Sequence, residues 1–179
     1  FIGTGNTGNS GCNNLAIGQC ALKYNIAGRN NIALGSNALR YENYGCSNVA
    51  IGNMTSILSY GAHYNVAIGT YDLKNNRGFG NTSLNQSLQS NTYGYGNFGV
   101  NYSLGNNTTG ANNFGAIYAL KNNTANNNTG VGSFALACNT TGAQNAPLGR
   151  QALAANTIGD FNTALGSYAL QTNRSEEHT

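Results

Sequence analysis

The sequence predicts an all-β fold, a parallel β-solenoid of about ten coils of 15–17 residues each. The first observation is a repeat that starts with Asn and returns every 15 to 17 residues over nearly the whole chain. The second is the shortness of this unit, because paired-helix repeats need about 33 residues and leucine-rich repeats about 20 or more. The third is the frequency of Gly, since each Gly costs a helix about 1 kcal/mol and no uninterrupted helical window remains. The ten lead residues are Asn14, Asn31, Asn48, Asn65, Asn81, Asn97, Asn113, Asn128, Asn145 and Asn162.

Four further columns make the repeat specific. Two residues after the lead Asn the side chain is small or Pro, and the next residue is apolar in every copy. Gly follows in seven of ten copies, with Asn85, Asn101 and Ile117 as the exceptions. Leu stands three or four residues after this position in nine of ten copies, and Ser56 takes its place in the tenth. We therefore expect two short strands and two turns in each coil, with Asn and Gly in the turns because both tolerate positive φ.

Stacking of the coils predicts the core. Coils about 4.8 Å apart turn each column into a ladder of like residues. One apolar row is expected to be Ile17, Leu34, Ile51, Ile68, Leu84, Val100, Val131, Leu148 and Leu165. The second is expected to be Leu22, Leu39, Leu73, Leu88, Leu104, Leu120, Leu136, Leu153 and Leu170. The lead Asn residues are expected to form a structural ladder, because each amide can bond the amide one rung away.

The domain organisation follows from the same repeat. Residues 1–173 are interpreted as one solenoid domain, a segment of a longer rod, with Phe1-Ile2-Gly3 as a partial copy. Residues 174–179 break the composition and resemble a translated sequencing adapter, so we interpret them as a non-native tail. No apolar run approaches the roughly 20 residues of a membrane span. A net charge of +3 is too small to indicate nucleic-acid binding.

The blocks Asn48-Val49-Ala50-Ile51-Gly52, Asn65-Val66-Ala67-Ile68-Gly69 and Asn162-Thr163-Ala164-Leu165-Gly166 carry a family resemblance. They resemble the head repeats of trimeric autotransporter adhesins and equally the Asn-Thr-Ala-Ile-Gly-Tyr-Asn-Ala-Leu arrays of tail-fibre-like proteins. The resemblance implies a left-handed β-roll, often trimeric, that is displayed outside the cell, on a cell surface or on a virion. The longer period and the regular second Ala-Leu block depart from the adhesin-head pattern, so a self-sufficient coil stays an alternative to the trimer.

Groups that could carry catalysis are scarce in residues 1–173. They are His63, Glu42, Asp72 and Asp160. General acid–base catalysis requires a pair of titratable groups held close together. The three acids lie on different rungs or in different columns, so we expect solvated loop residues, no enzyme, and no catalytic, cofactor or metal site. Three acids in ten coils also cannot supply the repeated Asp of calcium-binding solenoids.

Several other residue types leave alternatives open. The four Cys form no close metal-type pair, and a Cys12–Cys20 disulfide stays open if the first coil folds back. Tyr71, Phe134 and Tyr168 share one column and Tyr24 and Tyr41 another, which indicates either packing or carbohydrate stacking. Asn-x-Ser/Thr sequons make candidate glycosylation sites of Asn53, Asn85, Asn101, Asn107 and Asn139.

Three functions compete. The first is a non-catalytic structural or adhesive fibre segment that assembles with copies of itself and contacts a host-surface glycan or protein, but neither nucleic acid nor membrane. The second is an ice-binding solenoid, disfavoured because no Thr column persists after the lead Asn. The third is a polysaccharide-processing β-helix, disfavoured by the small coil and the few acids.

Overall fold

The computed structural model describes residues 11–56 and 60–172, and the partial copy at residues 1–3 and the tail at residues 174–179 lie outside this range. The fold prediction is confirmed: the chain is all-β and winds as a parallel β-solenoid of about nine turns. Ten strands form one sheet in sequential order, and each pairs in parallel with the strand of the next coil. In the part of the chain that the structure describes, no helix is long and apolar enough to cross a membrane.

Each coil has one strand of three residues, which directly follows the lead Asn. The strands are β1 (Leu15–Ile17), β2 (Ile32–Leu34), β3 (Val49–Ile51), β4 (Val66–Ile68), β5 (Thr82–Leu84), β6 (Phe98–Val100), β7 (Phe114–Ala116), β8 (Thr129–Val131), β9 (Ala146–Leu148) and β10 (Thr163–Leu165). The register pairs equivalent residues, for example Ala33 with Ala50. The apolar residues on either side of a small one are β-branched in many copies, which suits a strand.

The second strand expected in each coil is absent from the described residues, because the core Leu adopts positive φ. Leu104, for example, has φ 52°, a left-handed conformation that cannot continue a strand. The segment still pairs along the rod, since the N–H of Leu104 donates to the carbonyl of Ala119 in the next coil at 3.1 Å. The side opposite the sheet is therefore a stack of turns, and the same backbone bond recurs between most neighbouring coils.

The predicted core is half right. The Leu row is buried from Leu22 to Leu153, and only Leu170 in the last described coil is exposed. The row from Ile17 to Leu165 is wrong: Ile17 is 40% exposed, Ile68 41% and Leu165 77%, and Leu148 is also exposed. The small residue of each strand points inward instead, as Ala33, Ala50 and Ala67 show with no exposure. The Leu side chains already fill the interior, so only small side chains fit opposite them.

Two turn types lead from the strand to the core Leu. In seven coils the turn begins with Gly at φ between 118° and 139°, a region that side chains avoid. In the three coils that have Asn85, Asn101 or Ile117 instead, the turn is one residue shorter and this residue lies at φ 52–61°. The strand residue above each short turn is Gly, at Gly99, Gly115 or Gly130.

The glycines above the short turns have a steric cause. A Cβ added at Gly99 would lie 2.9 Å from Cβ of Ser87 and 3.2 Å from Cγ of Leu88. The strand residues above the long turns are Ala, Ser or Pro. The length of a turn in one coil therefore sets the side-chain size in the next strand.

Candidate functional site: asparagine ladders and an apolar sheet face

The ladder of lead Asn residues is present and buried. The side chain of Asn97 donates from Nδ2 to the carbonyl of Gly110 at the end of its own coil (2.7 Å) and to Oδ1 of Asn81 (3.2 Å). Its Oδ1 accepts from the backbone N–H of Asn113 at 3.0 Å and from Nδ2 of Asn113 at 3.1 Å. One amide therefore closes a coil and joins it to both neighbours. Asn14, in the first described coil, is half-buried.

A second Asn ladder escaped the sequence analysis. It stands three residues after each core Leu and consists of Asn25, Asn76, Asn91, Asn107, Asn123, Asn139 and Asn156, all buried. Asn91 donates to Oδ1 of Asn76 at 2.7 Å, and Asn107 donates to Oδ1 of Asn91 at 3.1 Å. The carbonyl of Gly110 accepts from both ladders, from Asn97 at 2.7 Å and from Asn107 at 2.9 Å. The fixed spacing from Leu is the signal that could have revealed this column.

Glu42 occupies the position of an Asn in this second ladder. The expectation that it is a solvated loop residue is wrong, because its side chain has no exposure. Oε1 accepts from the backbone N–H of Gly45 at 2.6 Å and of Gly61 at 3.0 Å. Burial raises the pKa of Glu42 to about 8, against the lowering effect of these backbone N–H groups. The side chain is therefore largely protonated at neutral pH.

Asp72 is also buried, which overturns the expectation of a solvated loop residue. It stands in the column of small residues before the core Leu, where Oδ1 accepts from Oγ of Ser83 at 2.6 Å and from the N–H of Ser87 at 3.0 Å. Burial raises the pKa of Asp72, and the hydrogen bond from Ser83 opposes this effect. With Thr55 and Ser56 in the coil before it, Asp72 makes a polar break between two apolar core clusters.

The other candidate catalytic residues are separated along the rod. His63 accepts the backbone N–H of Cys46 at Nδ1 (3.0 Å), and Asp160 accepts that of Ala143 at Oδ1 (2.6 Å). Each of these two side chains therefore links its own turn to the turn of the preceding coil. Within residues 11–56 and 60–172, no group of three or more His, Cys, Asp or Glu could hold a metal ion.

The candidate glycosylation sites divide into two groups. Asn107 and Asn139 belong to the second ladder and have no exposure, so the folded chain offers no room for a glycan there. Asn53 and Asn85 are exposed and Asn101 is half-buried. Modification of these three stays a prediction.

The cysteines are free thiols, and several aromatic side chains pack against each other along the rod. All four Cys are free thiols, so the Cys12–Cys20 disulfide is not formed. Tyr24 and Tyr41 stack with ring centroids 4.8 Å apart and planes 8° apart. Tyr118 stacks on Tyr102 at 5.1 Å and on Phe134 at 5.7 Å. These stacked rings pack against one another along the rod, and stacking of carbohydrate on the remaining ring faces stays a prediction.

The outer face of the sheet is apolar along its length. Each strand points its first and third residues outward, and the first outer row is Leu15, Ile32, Val49, Val66, Thr82, Phe98, Phe114, Thr129, Ala146 and Thr163. The second outer row is the one from Ile17 to Leu165 that was expected inside. Nine intervals of about 4.8 Å give this face a length of about 43 Å. At its far end Pro147, Leu148 and Leu165 help to line a shallow apolar depression of about 380 Å³.

A Thr column also escaped the sequence analysis, which considered only the position after the lead Asn. It follows the second Asn ladder and consists of Thr92, Thr108, Thr124, Thr140 and Thr157. The hydroxyl of Thr92 donates to the carbonyl of Thr108 at 2.9 Å, and that of Thr124 donates to Thr140 at 2.8 Å. These hydroxyl protons are therefore used within the rod.

Fold and ladders together define a β-solenoid repeat protein with stacked, buried Asn ladders. No protein-family model matches the chain, and no curated protein or solved structure is significantly similar to it.

Proposed function

We propose that this chain is a non-catalytic fibre segment that assembles with copies of itself through the outer face of its sheet. The observation that carries the proposal is the apolar outer face, two side chains wide and about 43 Å long. Contiguous exposed apolar surface of more than a few hundred Å² marks interaction sites on proteins.

The shape of this face favours another copy as its partner. The face runs the length of the rod and has the same two rows in every coil, so a second rod of equal pitch can match it rung for rung. A standard interface buries about 800 Å² from each partner, so a second rod would have to contact the flanking turns as well as the strip. The resemblance to adhesin-head and tail-fibre repeats supports a place outside the cell, on a cell surface or on a virion.

The buried acids support a structural role. Glu42 and Asp72 accept backbone and hydroxyl hydrogen bonds in the interior, where they hold neighbouring coils together. The ten lead Asn residues also hold coils together, because the hydrogen bonds of each side chain join two or three neighbouring coils. Glu42 and Asp72 thus stabilise the rod by joining its coils.

The test is the oligomeric state of the chain by sedimentation equilibrium over a wide concentration range. We expect an oligomer, and we expect Ile68→Lys/Val100→Lys to dissociate it because both residues point outward from the sheet. The matched control, Gln89→Lys/Ala137→Lys, adds the same charge on the turn side and should leave the oligomer intact. A wild-type chain that is monomeric and stably folded at all concentrations would overturn the proposal.

Ice binding is a second candidate, favoured by the column of five Thr residues at the rung spacing. Regular Thr methyl and hydroxyl groups on a rigid scaffold suit ordered water. The hydroxyl protons of Thr92, Thr124 and Thr140 are donated to carbonyls, so these protons are not available to ordered water. An ice-recrystallisation assay with Thr124→Ala as the variant separates this candidate from the fibre segment, which predicts no inhibition.

A further inference from the structure

The charged side chains of the described residues are sorted between the interior and the surface. The cations all reach solvent, and they are Lys23, Arg29, Arg40, Lys74, Arg77, Lys121 and Arg150. Of the three acids in the same range, Glu42 and Asp72 are buried and only Asp160 is exposed. The described surface therefore carries seven cations against one exposed carboxylate, which is more positive than the composition suggests.

Four of these cations share one column. Lys23, Arg40, Lys74 and Lys121 each come directly after the core residue Leu22, Leu39, Leu73 or Leu120. We call this column the basic ridge. Its members are one, two and three rungs apart, or about 5, 10 and 14 Å along the rod axis. Asp160, the exposed acid, stands in the ninth coil, beyond the end of the ridge.

Positive charge is most concentrated at the first two members. Nζ of Lys23 lies 5.2 Å from the ring centroid of Tyr24, and Cζ of Arg40 lies 5.1 Å from that of Tyr41. Arg40, and to a lesser degree Lys23, lowers the pKa of the Tyr24 hydroxyl. The Arg40 side chain spans both stacked rings, since Cζ is also 5.9 Å from the centroid of Tyr24. The aromatic pair therefore holds two cations in fixed positions.

The column beside the basic ridge is polar. After Tyr24 and Tyr41 it continues with Asn75, Ser90, Asn106 and Asn122. Asn106 and Asn122 are exposed and bond each other at 2.8 Å. The four cations of the ridge, with Gln89 and Gly105 between Lys74 and Lys121, thus share a column that lies next to these hydroxyl and amide groups.

We propose that the basic ridge and its polar neighbour column bind a linear acidic polysaccharide laid along the rod. The cations meet carboxylate or sulfate groups, and the hydroxyl and amide groups meet sugar hydroxyls. A nucleic acid is disfavoured because the stacked tyrosines cover each other and offer few free faces for bases. The inference does not rest on assembly, since the ridge lies on the turn side and not on the outer sheet face.

The experiment measures binding of the full chain to polygalacturonate over a range of salt concentrations, with neutral dextran and oligo(dT) as comparison ligands. We expect binding to polygalacturonate that weakens with salt, weaker binding to oligo(dT), and none to dextran. Lys23→Gln/Arg40→Gln should weaken binding about tenfold and reduce the slope of log affinity against log salt by about two, because two ion contacts are lost. The charge-preserving Lys23→Arg/Arg40→Lys should restore most of the affinity.

The matched control is Arg29→Gln/Arg77→Gln, which removes the same charge outside the ridge. It should change the affinity less than about threefold, since diffuse charge alone contributes little at moderate salt. Circular dichroism and the urea midpoint establish that each variant is folded. The inference is overturned by an equal loss in both double variants, by no binding to polygalacturonate, by equal binding to dextran, or by tighter binding to oligo(dT).

Discussion

Replacement of Glu42 by Gln tests the description of the rod interior most directly. Gln has nearly the same shape as the protonated acid and cannot ionise. The pKa of Glu42 is about 8 in the folded chain and 4.5 as a free side chain. At about 1.4 kcal/mol for each pH unit between these values, ionisation of Glu42 removes about 5 kcal/mol from the free energy of unfolding.

The sign of the effect follows from proton binding. Below pH 4.5 the carboxyl is protonated in the folded and unfolded chain, and the stabilisation is fully present. Between pH 4.5 and about 8 the unfolded chain releases the proton while the folded chain keeps it, so stability falls as pH rises. Above pH 8 the loss is complete. Wild-type stability should therefore decline over this window, and Glu42→Gln should remove most of the decline.

The assay is urea unfolding at pH 4.5, 7 and 9 at one protein concentration, followed by circular dichroism. Wild type and Glu42→Gln should agree at pH 4.5, and the variant should be the more stable at pH 9. Asp72, whose pKa is also raised by burial, should leave a residual slope that Glu42→Gln/Asp72→Asn removes. Parallel curves for wild type and Glu42→Gln would refute the burial of this carboxyl.

Three further substitutions test the ladders and the packing, each by the urea midpoint of the variant. Asn97→Ala should cost about 1–3 kcal/mol, because the buried N–H of Asn113 loses its acceptor while the carbonyl of Gly110 keeps its bond from Asn107. The exposed Asn106→Ala should cost less than about 1 kcal/mol, and equal effects would contradict the ladder. Leu104→Ala should cost about 2–5 kcal/mol by cavity formation, and a smaller loss would show a loosely packed core. Gly115→Ala should cost about 1–3 kcal/mol because the new Cβ would lie 3.1 Å from Cγ of Leu104. The reverse change above a long turn, Ala50→Gly, should cost no more than about 1 kcal/mol, so equal losses would dismiss the steric explanation.

The sequence predicted the coil, the rung register and the lead Asn ladder, because each depends on a column that nearly every copy repeats. It predicted the wrong face of the strand. An apolar–small–apolar triplet can bury either its centre or its two flanks, and burying the flanks gains more apolar area. The core Leu excludes that solution, since it leaves room only for a side chain the size of Ala33 or Gly99.

The burial of Glu42 and Asp72 was not predicted from the sequence, because an acid occurs only once in each of their two columns. Glu42 stands three residues after Leu39, where other coils have Asn. Asp72 stands immediately before Leu73, where other coils have Ala, Ser or Thr. Counting columns from the core Leu instead of the lead Asn would have placed both inside. The apolar outer face was missed for the same reason as the core, since the residues that flank the small one point outward once the small one points inward.

The two turn types carry a consequence for how such a rod can gain or lose coils. The short turn that contains Ser87 and the Gly99 above it belong to different Asn-to-Asn repeats, yet the short turn leaves room only for Gly above it. A duplication or recombination that cuts at the lead Asn would separate this pair and place an Ala over a short turn. The unit that can be copied without repair therefore runs from one turn, through the lead Asn, to the next strand. Gene duplications in rods of this kind should have their breakpoints between the strand and the turn that follows it.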